Sequence, residues 1–171
     1  LERLEDNLFR GRSPQDGWQR VYGGQVIGQA LVAASRTVEG RQVHSLHGYF
    51  MLGGDPKVPI IYEVERIRDG ASFTTRRVVA IQHGKQIFNM TASFQIPEEG
   101  LEHQATMPDV PGPDGVPDVN NVPADELQDL PEKIRRFVNI PRPFHIRPVR
   151  HDDDGATSLE PVKSVWMKAV D

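Results

Sequence analysis

The chain has 171 residues, a net charge of −4 and a pI near 5.9. That balance argues against a nucleic-acid binder working by phosphate neutralisation. The absence of cysteine excludes a disulfide framework, a cysteine nucleophile and a thiolate metal site, and it fits a reducing, cytoplasmic setting. No apolar run approaches the roughly 18 residues of a membrane span, and Leu1–Asp6 lacks the apolar core of a signal peptide. The start without Met, and an end that stops inside the strand-like run Met167–Asp171, read as cuts in a longer chain.

In chain order, Leu8-Phe9-Arg10 is expected as a short strand. Gly23-Gly24 then opens a periodic apolar stretch, Val26, Ile27, Ala30, Leu31, Ala34 and Val38, with Gly40 as its expected C-cap. This predicts a helix of about four turns that is apolar around most of its circumference and therefore buried. Four long strands follow: 42–52, 59–68, 72–82 and 85–95. Asp69-Gly70 and His83-Gly84 mark turns between them. On the third strand Phe73, Thr75, Val79 and Ile81 alternate, and on the fourth Phe88, Met90, Ala92 and Phe94 share a face. One all-round apolar helix beside a meander of long strands is an antiparallel α+β domain whose sheet wraps the helix.

Composition changes near residue 97. Nine of the fourteen prolines lie between Pro97 and Pro143, which reads as a connector over a surface, with helical spacing only at 124–138. Phe144–Val149 and Val162–Ala169 are further strand-like runs. The domain reading is therefore 1–96, a connector 97–143, and the opening strands 144–171 of a second domain.

Four segments resemble the type II (TesB-like) acyl-CoA thioesterase family in order and spacing. They are Arg20-Val21-Tyr22-Gly23-Gly24-Gln25-Val26-Ile27-Gly28-Gln29-Ala30-Leu31, Val43-His44-Ser45-Leu46-His47-Gly48-Tyr49-Phe50, Arg68-Asp69-Gly70-Ala71-Ser72-Phe73-Thr74-Thr75-Arg76-Arg77-Val78, and Phe88-Asn89-Met90-Thr91-Ala92-Ser93-Phe94-Gln95. Arg147-Pro148-Val149 and Val165–Ala169 resemble the opening of the family's second domain. The resemblance implies a double hotdog, of which this is the first half. It also implies hydrolysis of fatty acyl-CoA by a positioned water, without cofactor or metal. The family's catalytic aspartate, threonine and glutamine are expected beyond residue 171. The family's usual Arg-Pro-Gly-Asp stands here as Leu52-Gly53-Gly54-Asp55, so a cation is missing at that turn.

Thioester hydrolysis needs an activated water, oxyanion donors and an acyl groove. Gly23, Gly24 and Gln25, at the start of the helix, offer free N–H groups at its positive end; the same glycines also merely permit a tight entry. His44 and His47 are three apart on a strand and so point to opposite faces, which argues against a shared metal ion. His44 is placed on the side of Leu46, Phe50 and Leu52 and His47 with Val43, Tyr49 and Met51, so that one of the two faces the helix and the other the outside or a subunit contact; His44 is either a catalytic or substrate-contacting residue or a hydrogen-bonded core residue. Gln25, His44 and Gln95 would be first-half counterparts of the second-half site if the halves arose by duplication; the set has no carboxylate and only His44 as a candidate base, so the first-half site reads as degenerate rather than active. Arg68, Arg76 and Arg77 are either phosphate contacts or a solvated strand edge. Asp152–Gly155 reads as a solvated turn rather than a calcium loop, and no Gly-x-Ser-x-Gly elbow occurs. A non-catalytic acyl-CoA-binding hotdog and an enoyl-thioester hydratase are the competing classes. Expected partners are acyl-CoA and further hotdog copies in a homo-oligomer, with no nucleic acid and no membrane span.

Overall fold

The computed structural model describes residues 1–15, 17–119, 121, 131, 132, 135, 143–149 and 163–170. Apart from 131, 132 and 135, the helical stretch expected at 124–138 lies outside these residues, as does the turn at Asp152–Gly155. The chain divides into two compact units, Leu1–Leu101 and Glu102–Asp171.

The first unit is built from β1 (Glu2–Glu5), β2 (Leu8–Gly11), α1 (Gly23–Ser35), β3 (Gln42–Phe50), β4 (Ile60–Asp69), β5 (Phe73–Gln82) and β6 (Lys85–Gln95). The strands form one sheet in the order β1-β2-β4-β5-β6-β3, antiparallel throughout. The helix packs on one face of that sheet, mainly over β5, β6 and β4. This is the hotdog arrangement.

Period-two patterning explains the core. Phe88, Met90, Ala92 and Phe94 on β6 are all buried, as are Ile60, Tyr62 and Val64 on β4. They meet Val26, Ala30, Ala33 and Ala34 of α1. Fully burying a Phe or Met side chain contributes about 1.5–3 kcal/mol, while the helix's alanines let its axis approach the sheet. His83 (φ 49°) and Gly84 (φ 70°) make the two-residue turn between β5 and β6, whose twist matches the strands it joins.

Four expectations change. The helix stops at Ser35, not near Val38, because Thr37 Oγ1 donates to the Ala34 carbonyl (2.7 Å) and its N–H to the same carbonyl (3.0 Å). Gly40, at φ 63°, turns the chain toward β3 instead of capping the helix. Nor is the helix covered all round: Gly24, Gly28, Val32 and Ser35 form an exposed stripe, since one sheet face covers only one side of a helix. On β5 the buried row is Thr74, Arg76, Val78, Ala80 and Gln82, opposite to the row of Phe73, Thr75, Val79 and Ile81. Polar residues tolerate this burial because each of Thr74, Arg76 and Gln82 is hydrogen-bonded. Arg76 is therefore no solvated edge cation. β1 was not foreseen, since Glu2-Arg3-Leu4-Glu5 carries no apolar alternation and is exposed.

In the second unit β7 (Phe144–Val149) and β8 (Ser164–Ala169) pair antiparallel. The connector is tied to this pair. Asp118 bonds His145 Nδ1 (2.6 Å), Trp166 Nε1 donates to the Pro111 carbonyl (2.9 Å), and Val119 N–H donates to Ile146 (2.9 Å).

Candidate active site

The sequence candidates fall at opposite ends of the sheet. Gly23, Gly24 and Gln25 begin α1 beside Phe50, the last residue of β3. Gln95 pairs with Gln42 at the other end of that strand. Six residues of strand, roughly 20 Å, separate His44 from Phe50.

His44 does not face the helix. Val43 pairs with Phe94 and Ser45 with Ser93, leaving His44 in a bulge. A bulge shifts the side-chain alternation by one residue, so His44 joins the outer face. There Nε2 lies 2.9 Å from Ser93 Oγ and the ring meets Phe73 edge-on at 5.7 Å. His47, paired with Thr91 and meeting the Tyr49 ring edge-on at 4.7 Å, shares that face. The expectation that one histidine faces the helix is thus corrected by a single inserted residue. Gln95 Nε2 donates to Glu98 (3.2 Å).

At the other end Tyr22 is the N-cap, and no side chain among the described residues caps the helix or places an acid in its first turn. The first N–H groups of a helix lack intrahelical partners; here, contrary to expectation, the Gln25 N–H is not free, because it donates to the Tyr22 carbonyl (3.1 Å), which leaves Gly23 and Gly24 at the positive end of the dipole, with no acid beside them among the described first-turn residues. The two glycines have a packing reason. A Cβ on Gly24 would meet the Tyr22 ring at 2.5 Å, and one on Gly23 would meet Phe50 Cζ at 3.1 Å. Gln25 turns away from the helix start, its amide donating to Arg12 O (3.2 Å) and Ser13 Oγ (2.9 Å). Gln29 does likewise toward Arg12 O (3.0 Å) and accepts from Tyr62 (2.9 Å), whose phenol burial keeps protonated far above its usual range. Both amides thus pin residues 12 and 13 to the helix.

Beside Gly23 opens a pocket of about 350 Å³ lined by Val26, Phe50, Leu52, Ile87 and Phe88, with Arg20 at its rim. Phe50 stacks on Phe88 at 4.7 Å. Apolar walls meeting a helix N-terminus can hold an acyl chain while N–H groups face its carbonyl. Phe50, Leu52 and Arg20 were present in the sequence motifs but carried no signal of this role. Among the described residues no His/Asp/Glu cluster could hold a metal ion.

At the far end, Arg76 is 1% exposed. It donates to Thr37 Oγ1 (2.8 Å), the Thr37 carbonyl (3.1 Å) and Asp69 (2.7 Å). That hydrogen bond, opposed in part by desolvation and aided by the guanidinium charge, holds the Asp69 carboxyl below the usual carboxylate range. Arg76 is a cation clamped on the helix C-terminus and unavailable to a ligand.

Comparison with known proteins follows the same outline. Residues 12–95 match the model of the acyl-CoA thioesterase N-terminal domain. The chain is 46% identical over 170 residues to acyl-CoA thioesterase 2 of Haemophilus influenzae, covering 98% of this chain and 59% of that protein. It is 42% identical to human acyl-coenzyme A thioesterase 8, covering 99% of this chain and 56% of that one. Among solved structures it is similar to acyl-CoA thioesterase II TesB2 from Mycobacterium marinum, at TM-score 0.73, 40% identity, and 100% and 58% coverage. A hot dog protein of Alicyclobacillus acidocaldarius, 22% identical with TM-score 0.71 over 99% of this chain and 60% of that one, supports the fold. The chain spans less than three fifths of the curated relatives it matches.

Proposed function

The chain belongs to the acyl-CoA thioesterase family, and from that membership we propose that the whole protein hydrolyses fatty acyl-CoA to free fatty acid and CoA. The observation that carries this reading is 46% identity to an acyl-CoA thioesterase along 98% of the chain. Water attacks the thioester carbonyl, the C–S bond breaks, and the departing thiolate of CoA takes a proton. Gly23 and Gly24 supply N–H groups toward the carbonyl oxygen, and the pocket lined by Phe50 and Phe88 takes the first part of the acyl chain. Gln25 positions the strap at Arg12 and Ser13 that flanks the helix start. For His44 and Gln95 the geometry supports a role only toward a substrate or partner reaching the other end of the sheet. The water-activating side chains are proposed to lie in the second hotdog, with residues 1–96 as the first domain, 97–143 as connector and 144–171 as the second domain's opening strands.

Assembly follows from the two sheet edges. β1 is four residues long and charged, a protected edge. β3 is nine residues long, carries no Asp, Glu, Lys or Arg, and exposes Val43, Leu46, Tyr49 and Phe50. We propose that a further hotdog, from the same protein or another copy, covers it. Thiol release from palmitoyl-CoA by the full-length protein tests the activity: turnover without added metal or organic cofactor is expected, and saturable binding without thiol release would sink the hydrolase reading.

A further inference from the structure

The apolar pocket at the helix start has an open side and an aromatic side. Through Arg20, Gly53 and Gly54 it opens into a cleft of about 700 Å³ between the strap residues 17–20 and the loop at 53–57. Its other wall carries Phe50 of β3 and Phe88 of β6, which are cross-strand partners. Their ring centroids stand 4.7 Å apart, with the planes tilted by 42°.

Two glycines make room for these rings. A Cβ on Gly23 would lie 3.1 Å from Phe50 Cζ. One on Gly48 would lie 2.7 Å from Phe88 Cζ and 2.9 Å from its Cε2. Gly48 pairs with Met90, so the Phe88 ring leans diagonally across the strand pair onto bare backbone. The same Cβ would come 2.8 Å from the Asn89 carbonyl oxygen. That oxygen belongs to a strand held on both sides, whereas the ring can rotate, so a side chain at 48 displaces the ring. The frame behind the rings is fixed as well. Ile81 pairs with Gln86 and Ala80 with Phe88, which leaves Ile87 in a bulge, buried like Phe88. The Ile87 carbonyl accepts from Met51 N–H (2.9 Å) and Leu52 N–H (3.2 Å). The two rings are thus the adjustable part of a wall whose backbone is set.

We propose that the Phe50–Phe88 pair, seated by Gly48, is the wall at which the acyl chain stops, and that its position sets the chain length the protein prefers. The proposal rests on the hydrolase reading for the identity of the ligand. A cavity of about 350 Å³ lies at the small end of ligand pockets, so surplus chain meets the rings instead of empty space. One methylene too many or too few in an apolar pocket changes kcat/KM by roughly 10–200-fold. A wall that moves by the width of a methyl group therefore changes which chain fits.

The experiment measures kcat/KM of the full-length protein for octanoyl-CoA and palmitoyl-CoA and follows their ratio. Phe50→Leu and Phe88→Leu shorten the wall and should shift the ratio about tenfold toward palmitoyl-CoA. Gly48→Ala pushes the Phe88 ring into the pocket and should shift it about tenfold toward octanoyl-CoA. Thermal unfolding checks that the variants fold. Phe50 is half exposed, so Phe50→Leu leaves the core intact and keeps the test decisive if Gly48→Ala does not fold. A variant that merely loosens the structure lowers both values together and leaves the ratio unchanged. An unchanged ratio in Phe50→Leu and Phe88→Leu, or a shift in the same direction for Gly48→Ala, overturns the wall while an active wild type keeps the hydrolase reading standing. If the wild type releases thiol from neither ester, the hydrolase reading fails, and calorimetric titration with the same two thioesters decides the wall. The ratio of Kd values should then move in the same two directions, and a constant ratio or no binding overturns it.

Discussion

The two ends of α1 solve opposite problems. At its C-terminal end a guanidinium is sealed under the sheet, every visible donor is spent on Thr37, Asp69 and nearby carbonyls, and the helix closes early. At its N-terminal end two glycines admit aromatic rings, the helix is uncapped by any described side chain, and two connected pockets open beside it. A cation satisfies the negative end of the dipole, whereas the positive end is left for something outside the helix. The comparison teaches that a charge near a family motif is read by its burial: Arg76 is sealed in and holds the fold together, whereas Arg20 stands exposed on the strap.

The sharpest way to break the contrast is Arg76→Met. It removes the donors to the Thr37 hydroxyl and carbonyl; the hydroxyl keeps its bond to Ala34, but the carbonyl loses the guanidinium, and at about 1–3 kcal/mol per unsatisfied buried group urea unfolding should show a loss on the order of 3 kcal/mol. A variant as stable as the wild type would mean the clamp is ornamental. Gln82→Leu comes next. It removes three hydrogen bonds of the loop under the cleft, and because those loop groups partly reach water a loss of about 2 kcal/mol is expected. Its effect on thiol release by the full-length protein should exceed that of Arg76→Met, and the reverse order would erase the division of labour between the two ends.

Asp69 sharpens the comparison through pH. Its folded carboxyl titrates below the usual range, because Arg76 hydrogen-bonds the charged form. The unfolded form binds the proton more readily, so this contribution is complete above the ordinary aspartate pKa of about 3.9 and is lost as pH falls through the lower, folded value. Asp69→Asn should therefore be less stable than the wild type at neutral pH, with the gap narrowing in acid. A gap that stays constant down to the acid transition would remove Asp69 from the clamp. The smallest effect is expected from His44→Ala. The ring sits on the outer face at the far end of β3, so thiol release should change by less than about threefold, well under the roughly hundredfold typical of losing a general acid or base. A hundredfold loss would move the reaction to the opposite end of the sheet.

Much of the architecture was legible because burial writes a period into the sequence. β6 was bounded correctly from Lys85 to Gln95, and its inward row Phe88-Met90-Ala92-Phe94 needed only alternation. The helix start at Gly23 and the turns at Asp69-Gly70 and His83-Gly84 were equally local, since dihedral preference and side-chain period act over a few residues. The inward row of β5 escaped because it is polar, and Thr74, Arg76 and Gln82 are burial-competent only through partners at positions 37, 69, 55 and 58. No pattern within β5 announces those partners. The face of His44 escaped because a bulge exists only between two paired strands, and one extra residue reverses every inference from parity. The setting of Arg20 escaped for the same reason. Arg20 and Gly53 are neighbours in space and strangers in sequence, and only the packed sheet and helix bring a guanidinium to a turn that has none. Sequence by itself determined the elements, their order and the family; tertiary structure decided which charges are sealed and which remain open, because desolvation depends on neighbours that chain position does not specify.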